Sequence, residues 1–213
     1  MKEKIIHALK WFYQSFIWLF VILLAIDIIT KNIIMRTGVT APGLVADWGF
    51  VHISYIQNPN AAFGLGADNP AVSRVIYLVV ASLVTAGLIA YLIIKRKETK
   101  LLIRAALVMV ITGAIGNMID RIFYEQPNQP LHYVVVDWID FYWFWPFVFN
   151  IADCCIVIAA FMLIIYVIVL EVKDAIARRK AEAGPSVVLS KTEKERLEAE
   201  QKAKQDSEKE VDN

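Results

Sequence analysis

Cysteine is nearly absent from this chain of 213 residues, and the two that occur, Cys154 and Cys155, are adjacent. Neighbouring helix positions point about 100° apart, which disfavours an intrachain bridge between them, and a disulfide framework is excluded. Histidine is as scarce: His7, His52 and His132 form no His-Glu-x-x-His pair, which leaves a zinc hydrolase without its ligands. No Gly-x-Ser-x-Gly elbow is present to carry a serine nucleophile. A thiol in apolar surroundings is inert, so Cys154 and Cys155 are poor nucleophiles. Charged residues make up only 20 % of the chain and sum to +1, gathered at the two ends and in one short loop. That placement offers no basic face to a nucleic acid. An internal repeat is also missing.

What is abundant is apolar: 58 % of the residues are hydrophobic, too many for a soluble domain that needs a charged coat. Four apolar segments, at about 12–34, 71–94, 101–119 and 147–170, each approach the roughly 20 residues a helix needs to cross a bilayer. The first has a basic start, but no small-x-small cleavage site follows and Asp27 and Lys31 stand near its far end, so it is expected to be a retained span. Lys2, Lys4 and Lys10 precede the first span, Lys95, Arg96, Lys97, Lys100 and Arg104 flank the second and third, and Lys173, Arg178, Arg179 and Lys180 follow the fourth. The positive-inside bias therefore puts both termini in the cytoplasm and the segments 36–70 and 120–146 outside. The first of these, with five glycines and alternating Phe50, His52 and Tyr55, is expected to form a small sheet or cradle. Trp138, Phe141, Tyr142, Trp143, Phe144 and Trp145 look like an interfacial belt. The expected organisation is a membrane domain over 1–180 and a mixed-charge cytoplasmic tail over 181–213.

Polar residues within this frame carry the chemistry. Asp27 and Lys31 are four apart and share a helix face, a spacing that suits a structural ion pair. Gly113 and Gly116 let another helix approach, while Asn117, Asp120 and Arg121 stack beyond them, with Asp120 expected to partner Arg121. Asn150 and Asp153 are three apart at the start of the fourth span, where Asp153 fits a helix N-terminus as well as it fits a reaction. Asp137 follows Val134-Val135-Val136 and precedes Trp138-Ile139, an apolar setting in which a lone carboxylate is costly. Asp140 is its nearest competitor, and spacing does not choose between them. Acids at membrane depth serve transporters and proton channels as well as proteases, although a transporter would normally show repeated halves.

Five blocks then appear in one order: Asp27-Ile-Ile-Thr-Lys31, Asn58-Pro-Asn-Ala-Ala-Phe-Gly64, Gly113-Ala-Ile-Gly-Asn-Met-Ile-Asp-Arg121, Val135-Val-Asp-Trp138 and Phe149-Asn-Ile-Ala-Asp153. Together, over about residues 10–170, they resemble the lipoprotein signal peptidase (signal peptidase II) family of intramembrane aspartyl proteases. The resemblance implies an all-α bundle of four transmembrane helices with an extracytoplasmic β-cradle, and Asp137 and Asp153 as a catalytic dyad. It further implies that Asn58, Asn117, Arg121 and Asn150 line the site, with Asp27, Lys31 and Asp120 in support and neither metal nor cofactor. The implied substrates are prolipoproteins cleaved before a diacylglyceryl-modified cysteine, met by a monomer among membrane lipids of the bacterial cytoplasmic membrane, with globomycin as the expected inhibitor. Asn60 and Thr112 stand where the family usually has glycine, Trp138 where it has Phe, and the connection from Arg121 to Asp137, with Pro127 and Pro130, is longer than usual.

Overall fold

The structure is a computed structural model and describes residues 2–37, 43–59, 69–126, 133–182, 195–196 and 199–200. In chain order the elements are α1 (Lys2–Ser15), α2 (Ile17–Met35), β1 (Gly43–Asp47), β2 (His52–Asn58), α3 (Pro70–Ile94), α4 (Leu101–Phe123), β3 (Val135–Asp140), β4 (Val148–Phe149) and α5 (Ile151–Glu182). Four of the helices, Ile17–Met35, Ala71–Ile94, Leu101–Phe123 and Ile151–Ala181, are long and apolar enough to cross a membrane. The expected fold class therefore holds, with four shifts of boundary, one being that the last span runs on past 170 to Ala181. The first span begins at Ile17, because Phe16 takes a left-handed conformation (φ 57°) that breaks the helical run and sets α1 off as a separate helix. The third runs on to Phe123. The fourth begins at Ile151, because Val148 and Phe149 pair with β3 before the helix starts.

The chain divides into two units, Met1–Tyr166 and Val167–Asn213. The second contains the C-terminal part of α5, whose last turn carries Arg179 and Lys180, cations suited to the negative end of a helix. In the first unit α4 is the most enclosed span: Ala106, Ile111, Thr112, Gly113, Gly116 and Asn117 are all buried. Leu83 on α3 and Phe161 on α5 are among the many apolar side chains left exposed, as a lipid-facing surface requires.

The two glycines of α4 set its approach to α5. A Cβ on Gly113 would overlap the Ala152 carbonyl oxygen and lie 2.5 Å from Ile156 Cγ1; one on Gly116 would lie 2.7 Å from Asp27 Oδ2 and 3.0 Å from Ala152 Cβ. Gly116→Ala must push α2 and α5 away from α4. It is expected to cost about 1–3 kcal/mol, the usual penalty of overpacking, seen as a lower thermal midpoint in detergent; a midpoint unchanged within a degree would contradict this packing.

The cradle is a four-stranded antiparallel sheet in the order β1-β2-β3-β4. It draws strands from both segments between the spans, so the expected sheet within 36–70 supplies only half of it. Ile53, Tyr55 and Val136 pack with Ile34 at the end of α2, and Met35 and Trp138 close around them. Trp138 is thus part of the cradle's interior and not of an exposed belt. Tyr142, Trp143, Phe144 and Trp145 are exposed, with Trp48 and Phe50 beside them. The Trp143 indole donates to the Phe50 carbonyl at 3.0 Å, and His52 stacks on Tyr142.

Candidate active site

The first turn of α5 builds one half of the site. Asn150 caps the helix with its side-chain oxygen, which accepts from the Asp153 N–H at 2.9 Å, while Asp153 Oδ2 accepts from the Asn150 N–H at 3.2 Å. This is a reciprocal capping box, which satisfies backbone donors that a helix start leaves open. The Ala152 N–H donates to Asp27 Oδ1 at 2.8 Å, so a residue of α2 completes the cap. Asp153 is therefore a helix-terminal carboxylate, and it is also more than that. Its Oδ1 accepts from the Asn117 side-chain amide on α4 at 2.8 Å.

The other half comes from the sheet. Val136 and Trp138 turn into the cradle's apolar cluster, and because strand side chains alternate, Asp137 between them turns the opposite way. It is 2 % exposed and pairs across the ladder with Ile56. The Asn58 amide, at the end of β2, donates to Asp137 Oδ2 at 2.9 Å, and the Asn150 amide donates to Oδ1 at 2.7 Å. Asn150 also donates to Asn117 Oδ1 at 3.1 Å. A run of amides thus joins Asp137 to Asp153, with Asn150 in contact with both carboxylates. Burial, then the charge of Asp153, pushes the Asp137 carboxyl up from its ordinary 3.8 to about 7, against the pull of hydrogen bonds from Asn58 and Asn150. Asp140 lies apart from this network and accepts from the Ser54 hydroxyl at 2.9 Å.

Beneath the pair lies a buried ion triad. Lys31 Nζ is 2.7 Å from Asp27 Oδ2 and 2.8 Å from Asp120 Oδ2, all three side chains being almost wholly enclosed. It also donates to Asn117 Oδ1 at 3.3 Å. The expected Asp27–Lys31 pair is present. The ion pair that Asp120 makes, however, is with Lys31 and not with Arg121, because α2 brings the ammonium to the face of α4 that Asp120 occupies. Asp120 Oδ2 further accepts from the Val136 N–H at 3.3 Å, tying the triad to the strand that carries Asp137. The Arg121 guanidinium donates to the Asn117 carbonyl at 3.3 Å and lies 3.9 Å over the Tyr77 ring.

Sequence reasoning does not single out Arg74 and Tyr77, three apart on α3. The Arg74 Nε donates to the Arg121 carbonyl at 2.6 Å and its guanidinium lies 3.5 Å over the Tyr133 ring, so α3 braces the end of α4. The signal was available: an arginine inside an apolar span is itself a pointer to a buried polar site. Asn60 to Gly64 of the second motif, His132, the two prolines of the long connection and most of the charged tail lie outside the described residues.

Comparison with known proteins adds to this geometry. A family model described as signal peptidase (SPase) II matches residues 19–169. A lipoprotein signal peptidase of Fusobacterium nucleatum is 38 % identical over 154 residues, which are 70 % of this chain and 84 % of that protein. One from Clostridioides difficile is 31 % identical over 159 residues, covering 75 % of this chain and 98 % of the relative. Among solved structures, a bacterial membrane enzyme determined by the in meso method at 2.3 Å resolution superposes with a TM-score of 0.57 at 25 % identity, covering 71 % of this chain and 86 % of the other.

Proposed function

Because this chain belongs to the signal peptidase II family and is a bacterial membrane peptidase that removes signal peptides from prolipoproteins, we propose that Asp137 and Asp153 are its catalytic pair. The observation that carries this assignment is the Asn150 amide, which holds Asp137 from one side while its backbone N–H and side-chain oxygen clasp Asp153 from the other. Two buried carboxyls so linked cannot both ionise cheaply, so at neutral pH they share one proton.

Asp137, the more deeply enclosed member, keeps that proton. Asp153 stays charged at the positive end of α5. Asp153 takes a proton from a water that attacks the scissile carbonyl, and Asp137 donates its proton to the carbonyl oxygen. The resulting tetrahedral adduct collapses, after proton transfer to the nitrogen, into an acid and an amine. Asn58 and Asn117 hold the two carboxylates in register, Arg121 secures the end of α4, and the Asp27–Lys31–Asp120 triad fixes the helices behind them. The scheme needs neither metal nor covalent intermediate. A carboxyl that titrates near 7 and acts as the acid predicts that kcat/KM falls as pH rises past about 7. A plateau extending to pH 9 would remove Asp137 from the acid's role.

The basic loops at one end of the spans support an orientation with both termini in the cytoplasm and the carboxylates near the outer face. There a diacylglyceryl anchor keeps the substrate cysteine at the bilayer surface, so the bond is met without pulling lipid into water. Residues 1–180 form the peptidase unit, which acts as a monomer among membrane lipids, and the tail from 181 is dispensable for cleavage. The decisive experiment is purified protein with a lipidated precursor peptide in chelator-treated buffer: cleavage before the modified cysteine, blocked by globomycin, is expected. Proton or ion flux in liposomes without cleavage would favour a transporter instead.

A further inference from the structure

The opposite end of the bundle holds a second polar feature that the reaction does not use. Arg104, near the start of α4, is only 8 % exposed, and its guanidinium donates to the carbonyls of Gln14 (2.8 Å), Thr99 (2.9 Å) and Arg96. Among the described residues none of its partners is a carboxylate, and its Nε is buried without a hydrogen-bond partner. Arg96 beside it donates to the Trp11 carbonyl at 3.1 Å and lies 4.7 Å over the Trp11 ring. The one acid of this loop, Glu98, is taken by Lys95 at 2.8 Å. A buried cation served only by carbonyl dipoles leaves positive charge uncompensated.

Both arginines line a cavity of about 330 Å³ whose other walls are almost wholly apolar: Phe20 of α2, Leu92 of α3, and Val108, Ile111 and Ile115 of α4. At 1.5 Å per residue, the eleven steps from Arg104 to Ile115 span about 16 Å. That is close to half of the roughly 30 Å hydrocarbon core of a bilayer, one leaflet's depth. A cationic mouth above an apolar groove one leaflet deep matches a molecule with an anionic head and a single acyl chain laid along α4.

We infer that this groove binds an anionic phospholipid of the leaflet on the basic side, its phosphate against Arg96 and Arg104 and one acyl chain against Val108, Ile111 and Ile115. The apolar core of a signal peptide is the other candidate occupant, and charge argues against it. Signal peptides begin with a basic segment, which would meet Lys95, Arg96, Lys97 and Lys100 with like charge. The lipid site does not depend on the carboxylate chemistry at the far end of α4.

The test places the full chain in phosphatidylcholine nanodiscs doped with phosphatidylglycerol that carries a photoreactive diazirine midway along one acyl chain, and maps cross-links by mass spectrometry. Labelling is expected to concentrate on residues 89–93 and 108–115. It should exceed that from equally labelled phosphatidylcholine by about fivefold to thirtyfold, the range for one or two basic side chains facing an anionic head. Arg96→Gln with Arg104→Gln should erase that preference. Should that variant not fold, Leu92→Trp, which fills the groove from α3 without touching the arginines, should lower labelling of 108–115 by either lipid. Equal labelling by the two lipids, labelling spread evenly over the exposed faces of α3 and α5, or a diazirine-bearing signal peptide labelling the groove in preference to lipid would each overturn the site. Precursor cleavage is followed in the same discs, so that loss of the lipid preference with cleavage intact counts against the groove alone.

Discussion

Asp137→Asn and Asp153→Asn are each expected to lower cleavage of a lipidated precursor by about 10²–10⁴-fold, the loss that follows when one of two proton transfers has no group to make it. Asparagine keeps the size and much of the hydrogen bonding of aspartate, so neither change should unfold the protein. The two variants should nevertheless differ in stability. Unfolded, the Asp137 carboxyl ionises near 3.8; folded, it does so near 7. The folded state therefore binds the proton more tightly, and its contribution is full below pH 4 and lost as pH rises to about 7. Removing that carboxyl relieves a penalty at neutral pH.

After one amide hydrogen bond is lost, at about 1 kcal/mol, Asp137→Asn should still gain about 1–3 kcal/mol at pH 8 and lose about 1 kcal/mol at pH 4, a three-unit shift being worth about 4 kcal/mol. Asp153→Asn forfeits half of the capping box of α5 and should gain less. Thermal unfolding in detergent at both pH values checks the pair. Near-normal turnover by either variant would end the dyad assignment, and Asp140→Asn, held by Ser54 away from the network, should retain most activity.

The largest loss of stability is expected at Lys31. Its ammonium holds two carboxylates and an amide oxygen in a space closed to water. Lys31→Met removes the cation but leaves Asp27 and Asp120 facing each other through low dielectric. Breaking one partner out of a buried ion cluster costs about 3–5 kcal/mol, because the remaining charges stay uncompensated. The damage reaches the site: Asp27 caps Ala152 and Asp120 holds the Val136 N–H, so both carboxylate-bearing elements lose an anchor. Combining Lys31→Met with Asp120→Leu and Asp27→Asn should recover part of that loss, since the uncompensated charge is gone and an amide oxygen still caps Ala152. A lysine variant as stable as the parent would mean that the triad is not what binds α2 to α4.

Four spans were legible in the sequence, because hydropathy obeys the bilayer and not the details of packing. Asp137 and Asp153 stood out for the same reason: a carboxylate in apolar surroundings is conspicuous. What was not legible depended on contacts between distant segments. Spacing along α4 pairs Asp120 with Arg121, but helix α2 delivers Lys31 to it across 89 positions of chain. The apolar run 147–170 conceals that its first residues are a strand, since Val148 and Phe149 suit either state and only pairing with Ile139 and Asp140 decides. Spacing does not separate Asp137 from Asp140, and only the folded sheet shows that Asp137 meets Asn150 while Asp140 meets Ser54.

Register along β2 and β3 fixes where Asp137 stands, and the Glu125–Tyr133 bridge fastens the stretch before it at its base. The strand beyond is thus held by its own pairs, whatever the length of chain between Glu125 and Tyr133. The join between β4 and α5 has no such slack: Phe149 is the last paired residue and Asn150 is already the cap. One and the same family fold can thus accept a lengthened connection on one side of a carboxylate and tolerate not a single inserted residue on the approach to the other.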